Sequence, residues 1–215
     1  MFITLEGPDG GGKTTQIHLL RDSLEAAGYD VLLTREPGGS AIGDQIRAVL
    51  HDVENTEMVA TAEILLYSAS RAQLVAQVIR PALAGGKIVL CDRYADSTMA
   101  YQGYGRGLDL DALTAITTFA TGGLVPDLTV WLDLQPELGL RRRQVGGGEL
   151  NRMDQQALQF YRRTRAGYFT LAEAEPGRWE RIDAAGSVEE VAEAVLAVVL
   201  RELARRGKSP GGTGA

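Results

Sequence analysis

The chain has 215 residues, 45% of them apolar, which is enough for one sizeable α/β domain and requires no second one. Its net charge of −6 excludes a general polyanion binder of the nucleic-acid type, so any basic site must be a local cluster. No apolar run approaches the ~18 residues of a membrane span, and a lone cysteine, Cys91, sits in an apolar run and suits a reducing, cytoplasmic setting.

Phe2-Ile3-Thr4-Leu5-Glu6 is a short β-prone run, and Gly7-Pro8-Asp9-Gly10-Gly11-Gly12-Lys13-Thr14 follows at once, where a signal peptide would otherwise lie. The octet fits G-x-x-x-x-G-K-[ST], and with Thr15 it opens a helix whose Ile17, Leu20 and Leu24 share one face before Gly28 stops it. Glycines let backbone N–H groups curl around a phosphate, and the positive helix end points at the same place. Lys13 then reaches the β- and γ-phosphates of a bound nucleotide, and the Thr14 hydroxyl is placed for Mg²⁺. A dinucleotide-binding reading of these glycines gives Lys13 and Thr14 no role.

Val31–Thr34 is the second strand, and it ends at the loop Arg35-Glu36-Pro37-Gly38-Gly39. A short helix with Ile42, Ile46, Val49 and Leu50 on one face and Arg47 beside it comes next. One long helical stretch is expected from about Glu57 to Leu83, bent at Pro81. Tyr67 and Arg71 lie four apart in it and share a face, so a ring and a guanidinium can together hold a flat heterocycle; the alternative is a half-buried Tyr with a solvated Arg.

Lys87–Asp92 is a strand apolar on both faces until its last residue, as in a buried parallel sheet. Asp92 can hold Mg²⁺ beside Thr14, and Arg93 at a strand end calls for an anionic partner; the alternative is an Asp–Arg pair that merely caps the sheet. Ser97 to Gly107 is dense in hydroxyls, amides, aromatics and glycines. A helix opens at Asp109 and closes at Gly122, and Leu128–Asp133 is the fourth strand. Arg141, Arg142 and Arg143 precede a glycine-rich break, and Arg152 follows it, so that about 144–152 reads as a flap with cations at both hinges or as a solvated basic face. A helix over 154–173, a fifth strand over Arg178–Asp183 and a last helix capped by Ser187 and Glu190 complete the domain, 1–206, with Val188, Val191, Val195 and Val199 inward. The composition of 207–215 reads as a disordered tail. His18 and His51 have no metal-like spacing and read as surface residues.

Strands alternate with helices throughout, which predicts a parallel five-stranded sheet covered on both faces, with ligands at the strands' carboxyl ends. Glu6-Gly7, Arg35-Glu36, Asp92-Arg93 and Asp133 all fall there. No Asn-Lys-x-Asp guanine-reading motif occurs, which weighs against a GTPase switch.

The phosphate loop, Arg35-Glu36-Pro37-Gly38-Gly39, Asp92-Arg93-Tyr94, Ser97 to Gly107 and Asn151-Arg152-Met153-Asp154 together resemble the thymidylate kinases, in that family's order and over about residues 1–200. The resemblance implies the P-loop nucleoside-monophosphate-kinase fold, ATP and dTMP as substrates, Mg²⁺ as cofactor, and a homodimer. It places ATP on Gly7 to Thr15, with Asp9, Lys13, Arg93 and one of Arg143 and Arg152 as the catalytic set. It gives Tyr67 the stacking role usually held by Phe, and Arg71 and Thr98 the thymine edge. Gln102 lines the base pocket, Arg47 and Arg93 hold the acceptor phosphate, and Tyr101 presses on the sugar where a ribose carries its 2′-hydroxyl. Asp9 and Glu36 fall near sugar and phosphate. Members of the bacterial type, with Gly at the position of Gly10, carry a compensating flap arginine where this chain has Gly146-Gly147-Gly148, so the charge falls to Arg143 or Arg152, or the load shifts to Lys13 and Arg93. Another nucleotide kinase, or a P-loop NTPase switch, is the alternative reading.

Overall fold

Five strands, β1 (Phe2–Glu6), β2 (Val31–Arg35), β3 (Ile88–Asp92), β4 (Leu128–Asp133) and β5 (Trp179–Asp183), pair in parallel in the order β2-β3-β1-β4-β5 in the computed structural model, which describes residues 1–145 and 156–211. β1 lies in the centre, with Thr4 opposite Cys91 on one side and Thr129 on the other. The connection from β1 runs to β2 on one side and that from β3 crosses β1 to β4 on the other, so a crevice opens at the carboxyl end of β1, where the phosphate loop begins.

Two helical layers cover the sheet because both faces of its central strands are apolar. On one face Ile3, Leu5, Leu90 and Val130 pack against Ile17, Leu20 and Leu24 of α1 (Lys13–Ala26) and against Val191, Val195 and Val199 of α9 (Val188–Arg205). On the other, Phe2, Val89 and Cys91 meet Leu74, Val75 and Ile79, and an aromatic group of Trp131, Tyr101, Phe160, Tyr168 and Trp179 continues the layer. The remaining helices are α2 (Ala41–His51), α3 (Ala60–Leu74), α4 (Arg80–Ala84), α5 (Ala95–Thr98), α6 (Leu110–Thr121), α7 (Pro136–Val145) and α8 (Leu158–Ala174).

The structure departs from the sequence-based expectation in four places. The helix expected over 57–83 is in fact α3, a wider π-helical turn over Val75–Ile79, and α4. Pro81 has no N–H to donate and its ring crowds the carbonyl one turn back, and the π turn absorbs that mismatch ahead of it. On α2 only Leu50 of the apolar stripe is fully buried, while Ile42 and Val49 are exposed. Val188, expected inward, is exposed too, because it is the first residue of α9 and lies ahead of the turn that meets the sheet. Residues 207–211 of the expected tail carry hydrogen bonds: the Lys208 carbonyl accepts from the Tyr29 hydroxyl and the Gly211 N–H donates to the Gly28 carbonyl. Composition could not show that the turn after α1 offers these partners. Of the expected flap, Gln144 and Val145 end α7, and the rest of it lies outside the described residues.

Polar groups are set into the sheet beneath the crevice. Arg178 grips Asp96 at 2.7 and 2.8 Å and donates to the Thr129 hydroxyl, which itself donates to Asp96, while Thr4 donates to Thr129 at 3.1 Å. The Glu6 carboxylate accepts from the Tyr94 N–H at 2.7 Å, the Tyr168 hydroxyl at 2.9 Å and the Ser97 hydroxyl. Burial pushes the Glu6 carboxyl up to about 7, Asp96 adds to the rise, and Arg93 and the hydrogen bonds oppose it. A carboxyl raised on folding binds more protons in the native than in the unfolded chain, so its contribution to stability is present below the unfolded value near ~4.3 and is lost as pH rises through about 7. Urea titrations between pH 4.5 and 7.5 should therefore show a falling stability component, of slope no more than about one proton, that Glu6→Gln removes; an identical pH slope in both proteins would refute this account of Glu6.

Candidate active site

The phosphate loop owes two of its glycines to close neighbours and a third to its backbone conformation. A Cβ on Gly7 would stand 2.4 Å from the Leu132 carbonyl oxygen of β4, and one on Gly10 2.1 Å from the Gly139 carbonyl oxygen of α7. A Cβ at Gly12 would meet no atom of the described residues within 4 Å apart from its own chain neighbours and helix backbone, yet its φ of 83° turns the chain left-handed at the start of α1. The Gly11 N–H closes a turn on the Pro8 carbonyl. Lys13 donates to that same carbonyl at 2.8 Å and is buried. Burial and then Arg93 lower its ammonium to about 8, against the opposing pull of Asp9, Asp92 and Glu6.

Arg93 follows β3 with a φ of 70°, in the left-handed region that side chains rarely enter. Its N–H donates to the Leu5 carbonyl and its own carbonyl accepts the buried Cys91 thiol, so both strands hold the bend. The guanidinium is thereby aimed back across the crevice. It donates to the Gly7 carbonyl at 2.9 Å, to Asp9 at 2.7 Å, to the Ser97 hydroxyl at 3.1 Å and to the Tyr101 hydroxyl at 3.1 Å, and it lies 4.9 Å from the Tyr101 ring centre. The anionic partner expected from sequence is Asp9: burial pushes its carboxyl up, but Arg93, Lys13 and Arg143 outweigh this and hold it at about 2.

Beyond Arg93 lies a cavity of about 500 Å³, a size suited to a nucleotide. Every residue expected to contact the acceptor lines it: Glu36, Arg47, Tyr67, Arg71, Arg93, Thr98, Tyr101 and Gln102. Asp9, Lys13, Thr14, Asp92 and Arg143 border it as well. Arg71 is not a solvated arginine. It is 1% exposed, paired with Glu36 at 2.7 Å, and it donates to the Thr98 hydroxyl and the Tyr94 carbonyl. Burial lifts the Glu36 carboxyl above its ordinary range, with Arg71 opposing, and the second Glu36 oxygen is buried without a protein partner among the described residues. Arg47 donates to the Pro37 carbonyl at 2.9 Å. His18 and His51 also border this cavity; His18 is exposed, as expected, and His51 is half-buried.

A second recess, of about 280 Å³, is lined by Asp9, Gly10, Gly12, Lys13, Thr14, Thr15, Arg142 and Arg143, and meets the first along Lys13 and Thr14. Two recesses thus share one lysine, one aspartate and Arg143. Arg142 is fixed by the Ala184 and Ala185 carbonyls, a tie with no signal in the sequence. Arg152, the alternative cation, lies outside the described residues. The Thr14 hydroxyl donates to Asp92 at 2.9 Å across the mouth. A hydroxyl beside one carboxylate is a hard, all-oxygen donor pair that fits Mg²⁺, which keeps most of its waters and needs few protein ligands.

Glu63 escaped the sequence reading. It is fully buried, it accepts from Gln102 at 2.9 Å, and Arg106 clasps it at 2.8 Å with both Nε and Nη2. The spacing of 63, 67 and 71 on one helical face was the signal that could have found it.

A thymidylate kinase family model matches residues 5–195. The thymidylate kinase of Roseiflexus sp. (strain RS-1) is 52% identical over 210 residues, 93% of each chain, and that of Desulfovibrio desulfuricans is 50% identical over 214 residues, 97% of this chain and 99% of its own. The crystal structure of thymidylate kinase from Ehrlichia chaffeensis superposes with a TM-score of 0.75 at 35% identity, covering 93% of this chain and 98% of that one. Family model, relatives and fold agree with the arrangement of phosphate loop, Arg93 and acceptor cavity, and the chain belongs to the thymidylate kinase family.

Proposed function

We infer that the chain transfers the γ-phosphate of ATP to dTMP, giving dTDP. The observation that carries this is Arg93, one guanidinium bonded both to the phosphate loop at Gly7 and Asp9 and to the acceptor wall at Ser97 and Tyr101. Such a group can hold donor and acceptor in line, and positioning with charge neutralisation is most of what phosphoryl transfer requires. ATP occupies the smaller recess, on the loop from Gly7 to Thr15, with Lys13 released from the Pro8 carbonyl to a phosphate oxygen. Thr14 and Asp92 hold Mg²⁺, which when bound offsets charge on the β- and γ-phosphates. Arg47 and Arg93 receive the acceptor phosphate, Tyr67 stacks on the base, and Arg71 and Thr98 meet the base edge. Asp9 and Glu36 face sugar and phosphate, partly through the guanidinium groups they already hold. Tyr101, buried and packed edge-on to Phe160 and Tyr168, is a rigid wall against a 2′-hydroxyl.

The exposed apolar side chains of Ile42, Val49, Leu65 and Phe119, on α2, α3 and α6, support a homodimer through these helices. A cytoplasmic setting follows from the substrates and from the thiol of Cys91, and no helix among the described residues is long and apolar enough to cross a membrane.

ADP release from Mg·ATP should be stimulated strongly by dTMP and less by dUMP, since one methyl group is worth roughly 10–200-fold. The ribose form of dTMP should be weaker still, and thymidine inert; turnover indifferent to every acceptor would instead indicate an NTPase. Substituting both Arg143 and Arg152 by Ala should lower kcat by on the order of 10³ or more, and an intact kcat would remove the flap cation from the mechanism. Light scattering should give twice the 23.1 kDa chain mass, reduced to one by Leu65→Glu; a monomeric native protein would sink the dimer.

A further inference from the structure

Gln102 can meet a base with either end of its amide, and the two ends prefer different bases. We propose that Glu63 fixes that choice and so is the positioning residue that makes the cavity select a keto pyrimidine over an amino pyrimidine. The proposal rests on the functional reading above, in which this cavity takes the base.

The geometry is constrained from both sides. Glu63 is 0% exposed and paired with Arg106, so it can only accept hydrogen bonds. Gln102 therefore gives it the Nε2 end, at 2.9 Å. The opposite end, Oε1, has no hydrogen-bond partner among the described residues, and Gln102 borders the cavity. The cavity thus meets a fixed acceptor at Gln102. Arg71 supplies the complementary donor: Glu36 and the Tyr94 carbonyl occupy Nε and Nη2, while Thr98 takes one of the two hydrogens on Nη1. One Nη1 hydrogen remains. A donor beside an acceptor matches the carbonyl oxygen and ring N–H of thymine or uracil. Cytosine presents the reverse order, an amino group and a bare ring nitrogen, and would leave both protein groups unpaired. A site built on hydrogen bonds rejects such mismatches far more strongly than an apolar pocket rejects a missing methyl group.

Isosteric Glu63→Gln removes the constraint, because an amide at 63 can donate as well as accept and the Gln102 amide can then turn over. Arg106→Lys disturbs the same buried network but keeps the carboxylate and a cation to pair with it. Steady-state kinetics with dTMP and dCMP under saturating Mg·ATP should show the dTMP/dCMP ratio of kcat/KM falling at least about tenfold in E63Q, mainly through the KM values. The ratio should stay at its native value in R106K. If E63Q does not fold, E63Q/R106Q removes both charges together and carries the same expectation. An unchanged ratio in the folded Glu63 variant, or an equal fall in R106K, overturns the proposal. The functional reading fails separately: it would show as no dTMP turnover in the native chain, or as a dTMP/dCMP ratio that Gln102→Leu leaves untouched.

Discussion

The left-handed turn at Arg93 is the constraint on which the site depends. A residue continuing β3 in the extended conformation would send its side chain above or below the sheet. With φ at 70°, the guanidinium instead returns across the end of β1 to Gly7 and Asp9. The strain is held by the two central strands, through the Leu5 backbone carbonyl and the Cys91 side-chain thiol. Cys91 therefore does more than fill the core: its small side chain reaches the carbonyl of the residue that must bend. The order β3-β1-β4 matters for the same reason, since only adjacent β1 and β3 bring the phosphate loop within reach of Arg93.

The polar inlay beneath this turn explains why so apolar a sheet tolerates charge. Glu6 is buried at the end of β1, yet a backbone N–H and two hydroxyls meet it, and Arg93 lies close enough to lower its pKa. Asp96 is met by Arg178 and Thr129. Both of these carboxylates are thus satisfied by groups from other elements, which ties α5, α8 and the residue ahead of β5 to the central strands at the level of the site.

Most of this was legible in the chain. Strand–loop–helix alternation with apolar strands predicts the doubly covered parallel sheet, and the G-x-x-x-x-G-K-T octet predicts the crevice. Site residues at strand ends were legible because parallel topology collects those ends on one edge. The misses have common physics. The partner of a buried charge comes from a remote part of the chain, so Asp9 for Arg93 and Glu36 for Arg71 leave no local signal. Tyr67 and Arg71 share a helical face as predicted, but whether the guanidinium is solvated depends on what the Glu36 loop places over it. The π turn before Pro81 and the docking of Lys208 against Tyr29 likewise depend on tertiary neighbours.

The distribution of cations follows from the same pairing rule. A chain of net charge −6 collects Lys13, Arg47, Arg71 and Arg93 around one cavity, and cations so close would repel one another if left bare. The protein meets this with acceptors of its own: Asp9 for Arg93, Glu36 for Arg71, and the Pro37 and Pro8 carbonyls for Arg47 and Lys13. The two carboxylate pairs fix orientation, because a guanidinium held on one edge can present only the other. The two carbonyl contacts are neutral and are readily exchanged for a phosphate oxygen. In the function proposed above, Glu36 and Asp9 are therefore anchors that a substrate would leave in place, whereas Pro37 and Pro8 are stand-ins that it would displace. In that reading phosphate oxygens replace weak neutral acceptors at Arg47 and Lys13 with charged ones, and the acceptor phosphate meets Arg93, as the base meets Arg71, already aimed.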